Sequence, residues 1–179
     1  MYCPFGIDIA YLMLLVRRIC HKLEITPQYI QDTVNSHSVT LNQMWVKGDE
    51  WPDTLQWQEE EAQAEIPDLR IPLEKEGADI MYTVNAREVK HYPEDLAEAA
   101  ILFHLAGENW TVPSEGWEET SLYMFAGDWE ACKMQVLHVY DAMDRLEPKR
   151  MVGTECGHAH RATVIEGPYW AGREDGQPP

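Results

Sequence analysis

The sequence has few cysteines and few basic residues. Its four cysteines, Cys3, Cys20, Cys132 and Cys156, include no Cys-x-x-Cys pair. They are too sparse for a secreted disulfide framework, so a reducing cytoplasm is the expected compartment. Fourteen Lys and Arg stand against 31 Asp and Glu, which gives a formal net charge of -17. Nucleic-acid backbones and anionic membrane surfaces need Lys and Arg to replace counterions, so the composition argues against both as partners.

The sequence also lacks an apolar run long enough to cross a bilayer. The stretch from Ile9 to Val16 is far shorter than the roughly 20 residues that a membrane-spanning helix needs. Arg17 and Arg18 follow it where a signal peptide would carry small residues before a cleavage site. Direct membrane insertion is therefore not expected, although attachment to a membrane complex through other subunits stays open. Hydrophobic residues make up 45% of the chain, which predicts a folded globular protein.

The first predicted element is an amphipathic helix from Ile9 to about Leu23. Asp8 stands where the N-cap of this helix is expected. Apolar residues then recur at steps of three and four, which predicts one buried face. The members of this face are Leu12, Leu15, Val16, Ile19 and Leu23. Cys20 borders the face and is interpreted as a packing residue.

Two more helices and a linker complete the first part of the chain. Thr26-Pro27 resembles a cap followed by a first-turn proline and predicts a short helix through Val34. Residues 53–64 have helical composition. Two prolines then predict an extended linker over residues 66–77, across which the character of the chain changes. We place a domain boundary there.

From Ala78 onward, strand patterns alternate with helix patterns. A βαβαβα order of this kind predicts a parallel sheet with right-handed crossovers, so the fold class is α/β. Cys132 falls in the apolar stripe of the second of these helices and is interpreted as a core residue. The predicted strands are 80–84, 110–112 and 150–153, and the predicted helices are 93–106, 128–146 and 159–165.

Cys156 lies where the third predicted strand ends and a helix begins, in the run from Thr154 to Arg161. Open α/β sheets place their chemistry beyond this end of the strands. Unpaired N–H groups at a helix start stabilise a thiolate, and His158 and His160 follow closely. The pattern predicts a reactive or metal-bound thiolate. A buried spectator thiol is the alternative, because unpaired cysteine is among the most buried residue types.

The loops after the three predicted strands should meet at one edge of the sheet. They cover residues 85–92, 113–120 and 155–158. The first loop has no glycine at 85–88, which argues against a dinucleotide site. Groups able to bind or position a ligand are Arg87, Lys90 and His91 in the first loop, Ser114, Glu115 and Trp117 in the second, and Cys156 and His158 in the third.

These groups suggest two kinds of site, a zinc site and a Cys-His nucleophile pair. A zinc site has little support, because His158 and His160 are only two residues apart and no other ligand stands at a suitable spacing from Cys156. A Cys-His nucleophile pair stays open, with His158 or His91 as the base.

The sequence resembles a known family at three places. Residues 2–8, Tyr-Cys-Pro-Phe-Gly-Ile-Asp, resemble the end of a bacterial ferredoxin run in which Cys3 would be the fourth cysteine. Residues 77–170 are similar to the first of two CCG-type cysteine-rich repeats of heterodisulfide-reductase-like iron-sulfur proteins. Within that family the likeness is closest to the DsrK subunits of the membrane complex associated with sulfite reduction. It is carried by Thr-Glu-Cys-Gly-His-Ala at 154–159 and Gly-Pro-Tyr-Trp-Ala-Gly at 167–172.

The resemblance implies a cytoplasmic iron-sulfur oxidoreductase subunit that carries 4Fe-4S clusters. Cys3 would be a ferredoxin-type ligand, Cys156 a ligand of the catalytic cluster, and His158 a catalytic-site residue that tunes that cluster. Electrons would arrive from membrane quinone-linked subunits and reduce a disulfide or a sulfur-bridged thiol. The substrate would be a small disulfide or a small thiol-bearing protein. The other subunits would hold the protein at the inner face of the membrane.

The departures from the family pattern are equally specific. A full repeat has an early cysteine, a Cys-Cys-Gly and a final Cys-x-x-Cys, and here Asn85, residues 117–120 and Ala159 stand at the lost positions, leaving Cys156. One cysteine cannot hold a cluster that needs about four thiolates, so we expect an internal fragment that is inactive alone. The expected division is 1–77 for the helical arm with the ferredoxin end and linker, 78–167 for the degenerate first repeat, and 168–179 for a connection to a missing second repeat.

Two other functions stay open. A cluster-free α/β module would use its acidic surface to dock a basic partner, with an affinity that falls as salt rises. A thiol enzyme would use Cys156 with a histidine, and its thiolate would titrate below the free-thiol pKa of about 8.5.

Overall fold

A computed structural model of the chain describes residues 3–154 and 156–172. Three helices come first, and three short strands then alternate with further helices. The helices are α1 (Ile9–Lys22), α2 (Gln28–Thr40), α3 (Glu50–Gln63), α4 (Ala86–His91), α5 (Glu94–Ala106), α6 (Tyr123–Ala126), α7 (Trp129–Leu146), α8 (Gly157–His160) and α9 (Gly167–Trp170). The strands are β1 (Ile80–Tyr82), β2 (Trp110–Thr111) and β3 (Arg150–Val152). Tyr2 of the ferredoxin-like run, Glu155 of the third loop and residues 173–179 of the predicted connection lie outside the described residues.

The three strands form one parallel sheet in the order β2-β1-β3. This confirms the α/β fold class and the alternation of strands with helices. Isolated bridges extend the sheet beyond its strands: Val84 pairs with Glu118, and Leu73 pairs with Val112. The predicted linker therefore runs beside the second strand for part of its length.

The largest core lies between α3, α5 and the sheet. Trp51 of α3 is 1% exposed, and its ring stacks on Trp117 with centroids 4.7 Å apart. The indole N–H of Trp51 donates to the Pro113 carbonyl at 2.9 Å, so the buried polar atom of this large ring is satisfied. Leu55 and Ile80 belong to the same apolar cluster. Residues on both sides of position 77 thus share a core, and the division into domains stays a prediction.

The second core is built on α7. Asp128 accepts from the Ala131 N–H at 3.1 Å and caps the helix as predicted. The predicted apolar stripe is buried throughout, with every member at most 4% exposed; it consists of Cys132, Val136, Val139, Met143 and Leu146. The Cys132 sulfur lies 2.9 Å from the Ser121 hydroxyl, and burial raises the pKa of the thiol to about 11. The interpretation of Cys132 as a core residue is confirmed.

The first helix has the predicted bounds but not the predicted packing. Asp8 accepts from the Tyr11 N–H at 3.0 Å, which confirms the cap. The prediction of the buried face is wrong. Leu14 is the buried residue of α1. Four members of the predicted face are between 40% and 64% exposed, namely Leu12, Val16, Ile19 and Leu23.

The side of α1 that carries Leu14 and Arg17 faces the rest of the protein instead, and Arg18 is exposed beside it. The guanidinium carbon of Arg17 lies 4.9 Å from the centroid of the Phe125 ring, and that of Arg18 lies 5.7 Å from Trp129. Cation–π contacts of this kind hold a basic helix side against aromatic rings. The Arg17 backbone also passes so close to Gly127 (φ 81°) that no Cβ would fit there. Apolar periodicity predicts an amphipathic helix, but it does not say which side packs.

The predicted helix 159–165 is observed in two pieces, the end of α8 and a π-helical segment, and α9 follows them. This π-helical segment, Arg161–Glu166, joins α8 to α9. Within it the Thr163 carbonyl accepts from the Tyr140 hydroxyl at 2.8 Å, which offers that carbonyl a partner outside the helix. A Cβ at Gly167 would lie 2.8 Å from the same hydroxyl oxygen, so glycine lets α9 approach α7 closely. Such π segments are frequent at functional sites. No helix within residues 3–154 and 156–172 is long and apolar enough to cross a membrane.

Candidate functional site

The loops after the three strands meet at a buried carboxylate, Glu119, which is 3% exposed. The hydroxyl of Thr83, after β1, donates to its Oε2 at 2.9 Å. The hydroxyl of Thr154, after β3, donates to its Oε1 at 3.0 Å. Each oxygen therefore fixes a different loop.

Cys156 lies two residues beyond Thr154, directly before α8. Its backbone is extended, and its carbonyl accepts from the His160 N–H at 3.0 Å, so it begins the helix as predicted. The residue is 7% exposed. Its sulfur is nearly equidistant from the two ring nitrogens of His158, at 3.1 Å to Nδ1 and 3.2 Å to Nε2. The ring of His158 in turn contacts Phe125 edge-on, with centroids 4.8 Å apart.

Cys156 is one of the residues that line a cavity of about 160 Å³. Glu119, Thr154, His160 and Thr163 contribute to its wall. The volume suits a few water molecules or one small group, and it is below the several hundred Å³ of a pocket for a whole cofactor. Cys156 therefore borders a small, partly polar cavity and is largely shielded from bulk solvent.

Two further carboxylates near these loops have raised pKa values. Burial raises the pKa of Glu118 to about 7, although the N–H groups of Thr120 and Ala86 each donate to its carboxylate at 2.9 Å. Burial also raises the pKa of Glu88 to about 7. Carboxyl groups that titrate near neutrality are typical of functional sites, and they also occur in structural networks. No signal in the sequence marks Glu88 or Glu118 as buried, and Glu118 stands in the run 117–120 that replaces a cysteine motif.

A buried histidine lies within electrostatic reach of His158. His37 of α2 is 0% exposed and packs edge-on against Tyr123, with centroids 5.0 Å apart. Neither of its ring nitrogens has a hydrogen-bond partner in the part of the chain that the structure describes. Burial, with a smaller contribution from His158, lowers its pKa to about 4, so the ring is neutral at pH 7.

Two groups of the first predicted loop, Lys90 and His91, contact residues other than Cys156. Lys90 forms an ion pair with Glu50 of α3. His91 is exposed and lies beside the Tyr92 ring. The imidazole that contacts Cys156 is His158.

Ser114 and Glu115 of the second predicted loop also form hydrogen bonds with residues other than Cys156. The Ser114 hydroxyl donates to Glu74 at 2.9 Å, and the carbonyl of Glu115 accepts from Arg145 at 3.2 Å. Trp117 stacks in the core of α3, as described above. From this loop, Glu119 is the residue that reaches the wall of the Cys156 cavity.

The predicted cluster ligands, Cys3 and Cys156, are not accompanied by enough further ligands among the described residues to hold a cluster. All four cysteines are free thiols, and Cys3 lies half-buried in the turn before α1. Among residues 3–154 and 156–172, no group of three or more His, Cys, Asp or Glu is placed to hold a metal ion. A 4Fe-4S cluster needs about four thiolates. The described residues therefore do not form a complete cluster site, and the roles of Cys3 and Cys156 as ligands stay predictions.

Fold and site together define an α/β domain whose strand-end edge carries the Cys156 thiol in a loop fixed by a buried carboxylate. The chain is similar to two curated archaeal proteins. It is 24% identical over 171 residues to the Hdr-like menaquinol oxidoreductase iron-sulfur subunit 2 of Archaeoglobus fulgidus. It is 22% identical over 175 residues to the Hdr-like menaquinol oxidoreductase iron-sulfur subunit of Archaeoglobus profundus.

Each alignment covers 90% of this chain and 30% of the relative, so the chain spans about a third of their length. These similarities support kinship with an Hdr-like family at low identity. No protein-family model matches the chain, and no solved structure matches it significantly.

Proposed function

We propose that this chain is part of an iron-sulfur electron-transfer oxidoreductase subunit of the heterodisulfide-reductase-like type. The observation that carries the proposal is the place of Cys156, at the edge of a parallel sheet and in a loop that a buried carboxylate holds. The similarity of 90% of the chain to proteins named as iron-sulfur subunits supports the same function.

The residues of the chain have distinct tasks in this proposal. Cys156 provides one thiolate, and the remaining ligands of the cluster lie outside the described residues. Glu119 holds the Cys156 loop in register with the loop after the first strand. His158 lies against the sulfur, where hydrogen bonding and local charge influence the reduction potential of an iron-sulfur centre. When bound, the cluster supplies one-electron transfer.

The finer parts of the proposal rest on the family resemblance. Cys3 would be the last ligand of a separate ferredoxin-type 4Fe-4S cluster. Residues 78–167 would be a degenerate CCG-type repeat of the DsrK branch, preceded by the arm of residues 1–77. Membrane quinone-linked subunits would deliver electrons at the inner face of the membrane. The acceptor would be a disulfide or the thiols of a small protein in dissimilatory sulfur metabolism.

The test is anaerobic purification of the protein from its complete natural reading frame. We expect iron, acid-labile sulfide and an electron paramagnetic resonance signal of a reduced cluster. Cys156→Ser should abolish or alter one signal. Cys132→Ser is the matched control, because Cys132 is a buried thiol hydrogen-bonded to the Ser121 hydroxyl. This variant should leave every signal unchanged. Absence of iron and sulfide from the intact product would refute the proposal.

One observation favours a second candidate function, a thiol enzyme. The Cys156 sulfur lies within 3.2 Å of both His158 nitrogens, a distance at which an imidazole can take the thiol proton. In that case the purified chain, without metal, should be alkylated at Cys156 with an apparent pKa well below that of a free thiol. His158→Gln should move this pKa toward the ordinary value. Alkylation at the same rate in both proteins would exclude the pair.

A further inference from the structure

A continuous apolar face of α1 is exposed to solvent. Its members follow one another at steps of three, four, three and four residues; they are Ile9, Leu12, Val16, Ile19 and Leu23. Ile9 is half-buried, and the other four are between 40% and 64% exposed. This alternation of three and four is the spacing of the a and d positions in a helix-helix seam. Monomeric soluble proteins rarely expose a contiguous apolar patch of this kind.

A groove runs beside this face. It has a volume of about 500 Å³ and lies between α1 and the start of α7. Leu15, Ile19 and Leu23 form one wall, and Trp129 lies in the other. A second helix that packs along α1 would therefore contact a ridge of apolar side chains on α1. Its own apolar side chains would enter the groove beside that ridge.

The charges beside the seam select the direction of that second helix. The helix α1 has no acidic residue, and Arg17 and Arg18 lie over Phe125 and Trp129, so Lys22 is its basic residue beside the seam. A parallel copy would bring the two Lys22 side chains to the same end of the pair. In an antiparallel copy, Asp8 of one chain meets Lys22 of the other, because both lie in the same column beside the seam, seven residues on either side of Leu15.

We propose that this face pairs with a second copy of the same chain through an antiparallel α1-α1 contact. Ile9 then packs on Ile19 of the second copy, and Leu12 packs on Val16 of the second copy. Leu15 meets its own counterpart at the two-fold axis, between two Asp8-Lys22 pairs. Such an isologous contact closes on itself, which suits a dimer. This inference is independent of the proposed redox function.

The experiment is sedimentation equilibrium on the 179-residue chain over a series of concentrations. We expect a mass of twice the 20.7 kDa of one chain. Leu12→Glu/Ile19→Glu should halve the observed mass. The matched control is Leu102→Glu/Leu105→Glu, since these α5 residues are 67% and 72% exposed, and it should leave the dimer intact. Far-ultraviolet circular dichroism verifies that both variants are folded.

Cross-linking tests the direction of the pair. In a Cys3→Ser/Cys20→Ser background, oxidation of a mixture of Ile9→Cys and Ile19→Cys chains should join unlike chains. Cross-linking of each chain to its own kind would contradict the antiparallel arrangement. A monomer at every concentration, or a dimer that the α1 variant leaves unchanged, would overturn the proposal. So would a monomer that binds phosphatidylcholine-phosphatidylglycerol vesicles through this face, which would assign α1 to lipid.

Discussion

The carboxylate of Glu119 fills the space beside the α-carbon of Gly153, so that a methyl group on Gly153 would overlap its oxygens. The carboxylate cannot move aside freely, because Thr83 and Thr154 hold its two oxygens. Gly153 follows directly after β3. Glycine at this position therefore lets the loop that carries Cys156 close onto the loop after the second strand.

Gly153→Ala should destabilise the protein by about 1–3 kcal/mol, the usual cost of forcing extra volume into a well-packed site. The free energy of unfolding from urea titration measures the effect. Gly157→Ala is the control, since a Cβ at Gly157 meets nothing within 4 Å. It should be neutral or slightly stabilising. An equal loss of unfolding free energy in Gly153→Ala and Gly157→Ala would mean that the Glu119 side chain can move away from the added methyl group.

Part of this arrangement could be predicted from the sequence. The position of Cys156 at a strand-to-helix junction follows from the apolar run before it, and the parallel order brings the three loops together. The role of Glu119 could not be predicted, because a buried and a solvated glutamate look alike in a sequence. Burial here depends on Thr83 and Thr154, which are distant in the chain from Glu119.

The two long apolar stripes show that the sequence also does not predict which helix face is buried. The stripes of α1 and α7 have similar spacing, and only that of α7 is buried. A stripe states which residues share a helix face, whereas its burial depends on what lies opposite. In α1, Arg17 lies over Phe125 and Arg18 over Trp129, and these contacts hold the side that carries Leu14 against the rest of the protein.

The raised pKa of Glu118 predicts a pH dependence of stability. Its folded-state pKa of about 7 exceeds the ordinary value of 4.5, so the folded protein binds the proton more tightly than the unfolded chain. This contribution is complete below about pH 4.5 and is lost as the pH rises to about 7. Glu118→Gln should reduce the fall of the unfolding free energy across this window, by an amount on the order of a few kcal/mol.

The slope should not vanish in Glu118→Gln, because Glu88 shifts in the same direction. The exposed Glu98 of α5 supplies the control. Glu98→Gln should leave the pH profile as it is in the original chain. Urea titrations at several pH values between 4.5 and 8 measure all three proteins. A Glu118→Gln profile identical to that of the original chain would show that the pKa of Glu118 is the same in the folded protein and in the unfolded chain.

His37 predicts the opposite slope in an overlapping window. Its folded-state pKa of about 4 lies below the ordinary 6.5, so its contribution is present above pH 6.5 and is lost as the pH falls toward 4. His37→Phe keeps an aromatic ring against Tyr123. Relative to the original chain, this variant should become progressively more stable as the pH falls below 6.5. His91→Gln, at an exposed histidine, should show no such trend.

The orientation of α1 makes a prediction at Gly127, which ends α6 with a φ of 81°. A Cβ there would collide with the Arg17 backbone, in addition to the cost of about 1–2 kcal/mol that an L-residue incurs in left-handed geometry. Gly107 ends α5 with a φ of 68° and has nothing within 4 Å of a Cβ. Gly107→Ala should therefore show the conformational cost alone, whereas Gly127→Ala should cost more and release α1 from Phe125. Hydrogen exchange of the α1 amides measures that release, and we expect it to be faster in Gly127→Ala than in Gly107→Ala. Equal exchange in the two variants would mean that contacts other than the close approach of Arg17 to Gly127 hold α1 in place.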